Sequence, residues 1–422
     1  MGLSIPSIPQ QLLETTQVCP SDVEALLRRL TDFATSFAPF FYRKEQAQLS
    51  KLSLEGLTSD LHRKSVEPIA LAHHRPRQGL QRFAGQGKWE DPRVREELHR
   101  QVGRDLGDPE GILVLDGSSF PKKGKHSVAV ARQWCNHRGK EDNCQVGMFI
   151  AYHGRGSSLL VDGELYLPHE WTRSRRRLSS CHVPREVRFR TKTEIALELH
   201  QRVAPRIPHG WTVGDDEFGR PTEFRRSLHR RGERYVLEVP ANTIIRDLEA
   251  PRPPRTGRRG PQPKAPYLRL DAWAKALPPK AWTRLRIREA EKGPLDLEVA
   301  TTRVRPHFRH KVGTDELAVV TRSLGQEPEY KYHLSNADPR TSRGVLAQVA
   351  THQHRIEECF QVAKDDLGMD HYEVRSWIGW HHHMSMCFLG HWFLVREHRR
   401  LGEKNSGTHS SANRQPLQEG VA

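Results

Sequence analysis

A chain of 422 residues exceeds what one hydrophobic core usually organises, so two or three structural units are expected. Lysine and arginine outnumber aspartate and glutamate 67 to 51, a formal net charge of +16, which favours a polyanionic partner, nucleic acid ahead of an anionic membrane surface. The longest apolar run, near 385 to 395, is broken by His391 and too short for a bilayer, and six cysteines lie without C-x-x-C spacing; these patterns argue against a membrane span, a disulfide framework and a zinc ribbon.

No charged-then-apolar leader pattern opens the chain, and a cytoplasmic protein is expected. Residues 1–106 read as an N-terminal helical unit: Val23–Leu30, Arg43–Leu57 and Pro92–Val102 each repeat apolar residues three or four apart. Arg43, Lys44, Lys51, His62, Arg63 and Lys64 give the unit a cationic face that suits phosphates as well as solvent.

From 107 the pattern changes. Ile112-Leu-Val-Leu-Asp116 is a buried strand ending in an aspartate, followed by Gly117-Ser-Ser as a loop. That edge is where open α/β sheets hold ligands. Lys122, Lys123 and Lys125 follow at once and offer cations to a substrate that the carboxylate alone would repel. Strands are expected at 145–152, 158–161 and 165–168, a basic loop at 173–177, and a helix from Thr193 to Val203. Trp211-Thr-Val-Gly-Asp215 then repeats the strand-to-aspartate arrangement, and Tyr235–Val239 is a further strand. Residues 107–239 thus form the first part of a mixed α/β core.

Residues 240–335 read as a mostly β insertion. It opens with an exposed Pro/Gly/Arg-rich excursion at 251–263, whose basic run is 252–259, and continues with strands near 283–287, 295–299, 316–321 and 330–335. Residues 336–401 return to helix. In the stretch 355–370, Ile356, Phe360, Ala363 and Leu367 line one face, and Gly368 closes the element. Glu357 and Lys364, seven residues apart on that helix, look into the same space. Trp377–Val395 is an apolar helix whose His381-His-His383 reads as core and surface histidine ahead of a metal site. A polar tail, 402–422, is expected to be disordered.

Asp116, Asp215 and Glu357, two from strands and one from a helix, can meet at the carboxyl edge of a mixed sheet. Three hard oxygen ligands without a cysteine or histidine cage suit Mg²⁺ or Mn²⁺, and two such ions serve in-line phosphoryl transfer. The chain resembles the DDE transposases of bacterial insertion sequences, in the cut-and-paste branch with an RNase H-like catalytic core. The likeness rests on Asp116–Val128, Asp142–Val146, Leu165–Pro168 with Glu170-Trp171, Asp215 with Phe218-Gly219, and Arg355–Phe360 with His371–Trp377. It implies that Asp116, Asp215 and Glu357 are catalytic and hold two metal ions. Lys364 fills the lysine place of the branch's Y-x2-R-x3-E-x6-K signature, whose tyrosine and arginine places are Ala350 and Gln353 here. The implied partners are double-stranded DNA, at transposon ends and target, and a second copy of the chain. Lys122, Lys123, Lys125, Arg355 and Lys364 are the expected DNA-binding residues. Two further readings use the same residues: a catalytically inactive, transposase-derived DNA-binding protein, and an RNase H-like nuclease without strand transfer.

Overall fold

The computed structural model describes residues 20–254, 262–290, 293–307 and 314–406. Five helices come first: α1 (Pro20–Ser36), α2 (Lys44–Leu57), α3 (Val66–Ala72), α4 (Arg77–Gly85) and α5 (Asp91–Leu106). Four strands follow, β1 (Ile112–Pro121), β2 (Ala131–Cys135), β3 (Lys140–Gly154) and β4 (Ser157–Leu165). Next are α6 (His169–Thr172), α7 (Arg175–Ser180), α8 (Lys192–Val203), β5 (Trp211–Gly214), α9 (Asp216–Gly219), α10 (Thr222–Arg230) and β6 (Tyr235–Glu238). Then come β7 (Ile244–Asp247), β8 (Leu268–Arg269), α11 (Leu270–Lys275), β9 (Thr283–Ala290), β10 (Gly293–Pro306), β11 (Glu316–Ser323) and β12 (Tyr330–Ser335). The last three helices are α12 (Arg343–Thr351), α13 (His354–Asp365) and α14 (Trp377–Ser406).

The sheet runs β2-β3-β1-β5-β6-β12-β11-β10-β7-β8. β3 is antiparallel to β1, whereas β1, β5 and β6 are parallel. β4 shares the outer side of β3 with β2, pairing with Gly147–Gly154 where β2 pairs with Lys140–Cys144. This is the RNase H-like order. Ile112–Leu115 are all buried, as expected of a central strand covered on both faces. The helices α8, α13 and α14 pack against the strands of this half of the sheet.

The first five helices are stitched to the last one. Phe33 and Phe393 meet with ring centroids 5.4 Å apart, Arg29 pairs with Glu397 at 2.7 Å, and Trp89 stacks on His382 at 3.9 Å. A buried ionic network joins α5, β4, α8 and α14. Asp162 takes Arg95 and, at 3.0 Å, Arg202; Glu164 takes Arg202 and His381, each at 3.1 Å. The residues from β7 to β12 gather a second apolar cluster around Ile245, Trp273, Trp282 and Val304. Their sheet is nonetheless continuous with the first half, because β12 pairs antiparallel with β6.

Several boundaries differ from the sequence reading. Asp116 does not end its strand: β1 continues to Pro121, because β3 pairs with it over all ten residues while its parallel partner β5 stops at Gly214. Gly117-Ser-Ser is therefore strand, with Ser118 and Ser119 buried. The strand expected at 165–168 is only the end of β4, after which Tyr166–Pro168 leave the sheet. The stretch 355–370 ends its helix at Asp365; Gly368, at φ +60°, gives its N–H to the Lys364 carbonyl at 3.2 Å and lets the Met369 N–H reach the Ala363 carbonyl at 2.9 Å, a left-handed close. α14 runs on to Ser406, past the start of the expected tail. Residues 407–422 and most of the basic run 252–259, from 255 on, lie outside the described residues. Among the described residues, no helix is long and apolar enough to cross a membrane.

Candidate active site

The register of β1 and β5 sets two carboxylates side by side. Leu115 lies opposite Gly214 in parallel pairing, so Asp116 and Asp215 are the next residues of strands spaced ~4.8 Å apart. β5 gives way at Asp215 to the single turn α9, which Asp215 caps by accepting the Glu217 N–H at 3.0 Å on Oδ1. A side chain at Gly219 would put its Cβ 1.7 Å from the Glu238 carbonyl oxygen, so only glycine lets this turn lie against β6. Asp116 is fixed similarly, its Oδ1 accepting the Gly117 N–H at 2.6 Å.

Glu357 reaches the same place from α13, which packs on β1, β3 and β4. The three carboxylates line one cleft of about 530 Å³, together with Asn136, Glu238, Gln353 and His354. Glu358 belongs elsewhere, paired with Arg355 at 2.8 Å and His354 at 3.4 Å. Burial first, then the negative charge of Asp215 and more weakly Glu357, push the Asp116 carboxyl up to about 8, against the Gly117 N–H. Burial, followed by Glu217, raises Asp215 to about 6. The donor set is thus crowded anionic oxygen, which a hard divalent cation would relieve. The oxygens do not all lie within 4.8 Å of one another.

The expected DNA-binding residues divide into two kinds. Lys123 and Lys125 are exposed. Lys122 lies 3.6 Å over the Tyr372 ring, and burial lowers its pKa to about 8. Lys364 sits half-buried, 5.8 Å from the centroids of both Phe120 and Phe360, and the charges of Asp370 and Asp116 act on it. Asp370 acts on Lys122 as well. Arg355 is turned toward Glu358 by its ion pair. In the basic run 173–177, Arg173, Arg175 and Arg176 are exposed, and Arg177 covers the Trp171 ring at 3.9 Å.

The three consecutive histidines of α14 are each engaged. His381 pairs with Glu164, His382 lies between the carbonyls of Phe83 and Trp89, and His383 meets the Gly368 carbonyl. Cys135, Cys144, Cys181, Cys359 and Cys387 are buried and free. Sequence reasoning missed Asn136, Glu238 and Glu217. The last sits two residues after Asp215, ion-paired with Lys192 at 2.8 Å, and adds to the charge on both aspartates.

An RNase H-like sheet with two aspartates on adjacent parallel strands and a glutamate facing them from a helix defines the DDE class of nucleases and DNA-joining enzymes. A family model described as DDE superfamily endonuclease matches residues 36–294, and the chain belongs to that family. The match ends before the helix that carries Glu357. Among curated proteins the chain is similar to a probable transposase for insertion sequence element IS701 from Microchaete diplosiphon, 27% identical over 201 residues, which are 46% of this chain and 49% of the relative. The likeness spans about half the length of each protein.

Proposed function

We propose that the protein is an insertion-sequence transposase that binds the terminal inverted repeats of its own element, hydrolyses the phosphodiester at the ends and joins the freed 3′-hydroxyls to target DNA. The observation that carries this reading is the cleft in which Asp116 and Asp215 stand next to each other with Glu357 opposite. These three residues would hold Mg²⁺ or Mn²⁺, as two ions. When bound, the ions activate a water or hydroxyl nucleophile and neutralise the leaving oxygen. The chain's own contribution is position. The Gly117 and Glu217 N–H groups orient the two aspartates, and β1 and β5 hold them at fixed spacing. Lys122, Lys123, Lys125, Arg355 and Lys364 would grip the phosphate backbone on either side of the scissile bond.

In this reading the unit 1–106 and the insertion 240–335 contact the transposon end, the catalytic core is divided between 107–239 and 336–401, and two copies act together on the DNA in the cytoplasm, at the nucleoid. The rival reading, a catalytically inactive DNA-binding descendant, draws support from Ala350 and Gln353, which line the cleft where the branch's signature has tyrosine and arginine. One experiment separates them. Asp116→Asn, Asp215→Asn and Glu357→Gln should each abolish Mg²⁺-dependent cleavage of an end-containing duplex while leaving its binding in a gel-shift assay largely intact, and Asp216→Asn and Glu358→Gln should be milder. Wild-type protein that binds ends without cutting them would favour the inactive descendant. Cleavage without joining would favour a nuclease.

A further inference from the structure

Three potential metal ligands converge at the sheet edge opposite the carboxylates. His200 lies in the last turn of α8, His209 in the loop entering β5 and Glu233 in the loop entering β6. Because β5 and β6 are parallel, the starts of both strands lie at the far edge from Asp215. His209 Nε2 is 3.0 Å and His200 Nε2 3.7 Å from Glu233 Oε2, and one ligand atom from each residue falls within 4.8 Å of the other two. A tetrahedral ion with bonds of ~2.0–2.1 Å keeps its ligands roughly 3.3 Å apart, close to the separations of the two histidines from Glu233. Among the described residues this is the one group of histidine, cysteine and carboxylate side chains gathered so closely.

The hydrogen bonding carries the argument further. His209 Nδ1 lies 2.8 Å from the Ile207 carbonyl, and its Nε2 faces the Glu233 carboxylate. Both ring nitrogens therefore face acceptors, whereas a neutral imidazole has one hydrogen to give. A metal ion can take the place of a proton between Nε2 and the carboxylate: Nδ1–H then donates to Ile207, as the outer hydrogen bond of a metal-bound histidine commonly does, and Nε2 coordinates. His200 is buried. Its Nε2 now shares a hydrogen bond of 3.0 Å with the Thr212 hydroxyl, which a bound ion would release. The cation facing the group, Arg231, is engaged through Nη1 with the Leu197 carbonyl at 3.1 Å.

We propose that His200, His209 and Glu233, with a water as fourth ligand, form a zinc site that ties α8 to the starts of β5 and β6. Two imidazole nitrogens and one carboxylate select Zn²⁺ over Mg²⁺, which prefers oxygen alone. The site is separate from the cleft and stands or falls independently of the phosphodiester chemistry. The test uses the full chain, stripped with a chelator and titrated with Zn²⁺, and in parallel with Co²⁺, in excess Mg²⁺ so that the carboxylate cleft is filled. One equivalent of Zn²⁺ should bind, Co²⁺ should give the strong visible absorption of a four-coordinate site, and Zn²⁺ should raise the melting temperature. His209→Ala and Glu233→Gln should each weaken binding at least ~10- to 100-fold, and Asp116→Asn should leave it unchanged. If His209→Ala fails to fold by circular dichroism, Glu233→Gln carries the comparison. No zinc binding by the wild type, binding indifferent to Glu233→Gln, binding lost in Asp116→Asn, or an unchanged melting temperature at saturating Zn²⁺ would each overturn the assignment.

Discussion

Asp116 bears the heaviest charge conflict in the cleft, and the conflict has a sign that can be measured. Without divalent ions, a carboxyl raised to about 8 in the fold keeps its proton there and gives it up on unfolding. Its favourable contribution is complete below about pH 4 and is lost as the pH rises through about 8. Asp116→Asn should therefore stabilise the chelator-treated protein at pH 8 and above, by on the order of 2–4 kcal/mol, and do nothing at pH 4. Thermal denaturation across that range, with and without Mg²⁺, checks it; a gain independent of pH would mean that the carboxylate is not in conflict. Lys364 poses a different question. A protonated ammonium neither ligates a metal nor acts as a base, so the task proposed for it at this position is to hold a phosphate beside the scissile bond. Lys364→Ala should lower end cleavage and end-specific binding together, about 10- to 100-fold, the value of a charge-assisted hydrogen bond of ~1.5–3 kcal/mol. Lys364→Arg should recover part of both. A drop in melting temperature with full cleavage would return the lysine to a packing role between Phe120 and Phe360.

At the scale of elements, the Asp162 network holds the first helices to the sheet. Arg95→Ala leaves the buried Asp162 carboxylate to Arg202, the Gly163 N–H and His99 at 3.7 Å, and should cost ~3 kcal/mol in urea denaturation. A loss under 1 kcal/mol would show that Arg202 suffices. What could be read from the sequence divides along similar physical lines. The strands β1, β5 and β6 announce themselves because a strand buried on both faces is a short apolar run, and a polar residue after it stands out. The continuation of β1 through Gly117-Ser-Ser was hidden because what keeps those residues in the sheet is a partner, Val146–Met148, that lies some thirty residues away. The helices α3 and α4 escaped notice because each buries only two residues, Ile69 with Ala70 and Leu80 with Phe83, too few to show a period. In the site, Glu357 was legible through its helical offset from Lys364. Asn136 and Glu238 carry no such pattern and reach the cleft only through the sheet order.

For the whole molecule, the charge excess sets how DNA binding responds to salt. With roughly six to ten phosphate contacts, affinity should fall linearly in log salt with a slope near 0.9 per contact, losing ~10³ to 10⁵ between about 50 and 200 mM; a flat profile in a fluorescence titration would remove nucleic acid as the partner. The packing of the first helices on the last has a further consequence, for synthesis. α1 has its aromatic and ionic partners, Phe393 and Glu397, on the final helix, and Glu357 lies far beyond both aspartates. At ~5–20 residues per second, the opening helices wait roughly 20 to 70 s for α14 to leave the ribosome, their apolar faces uncovered. A chain released early would have neither a closed core nor a third carboxylate, so an aborted translation product should be unable to cleave DNA and a ready substrate for chaperones and proteases.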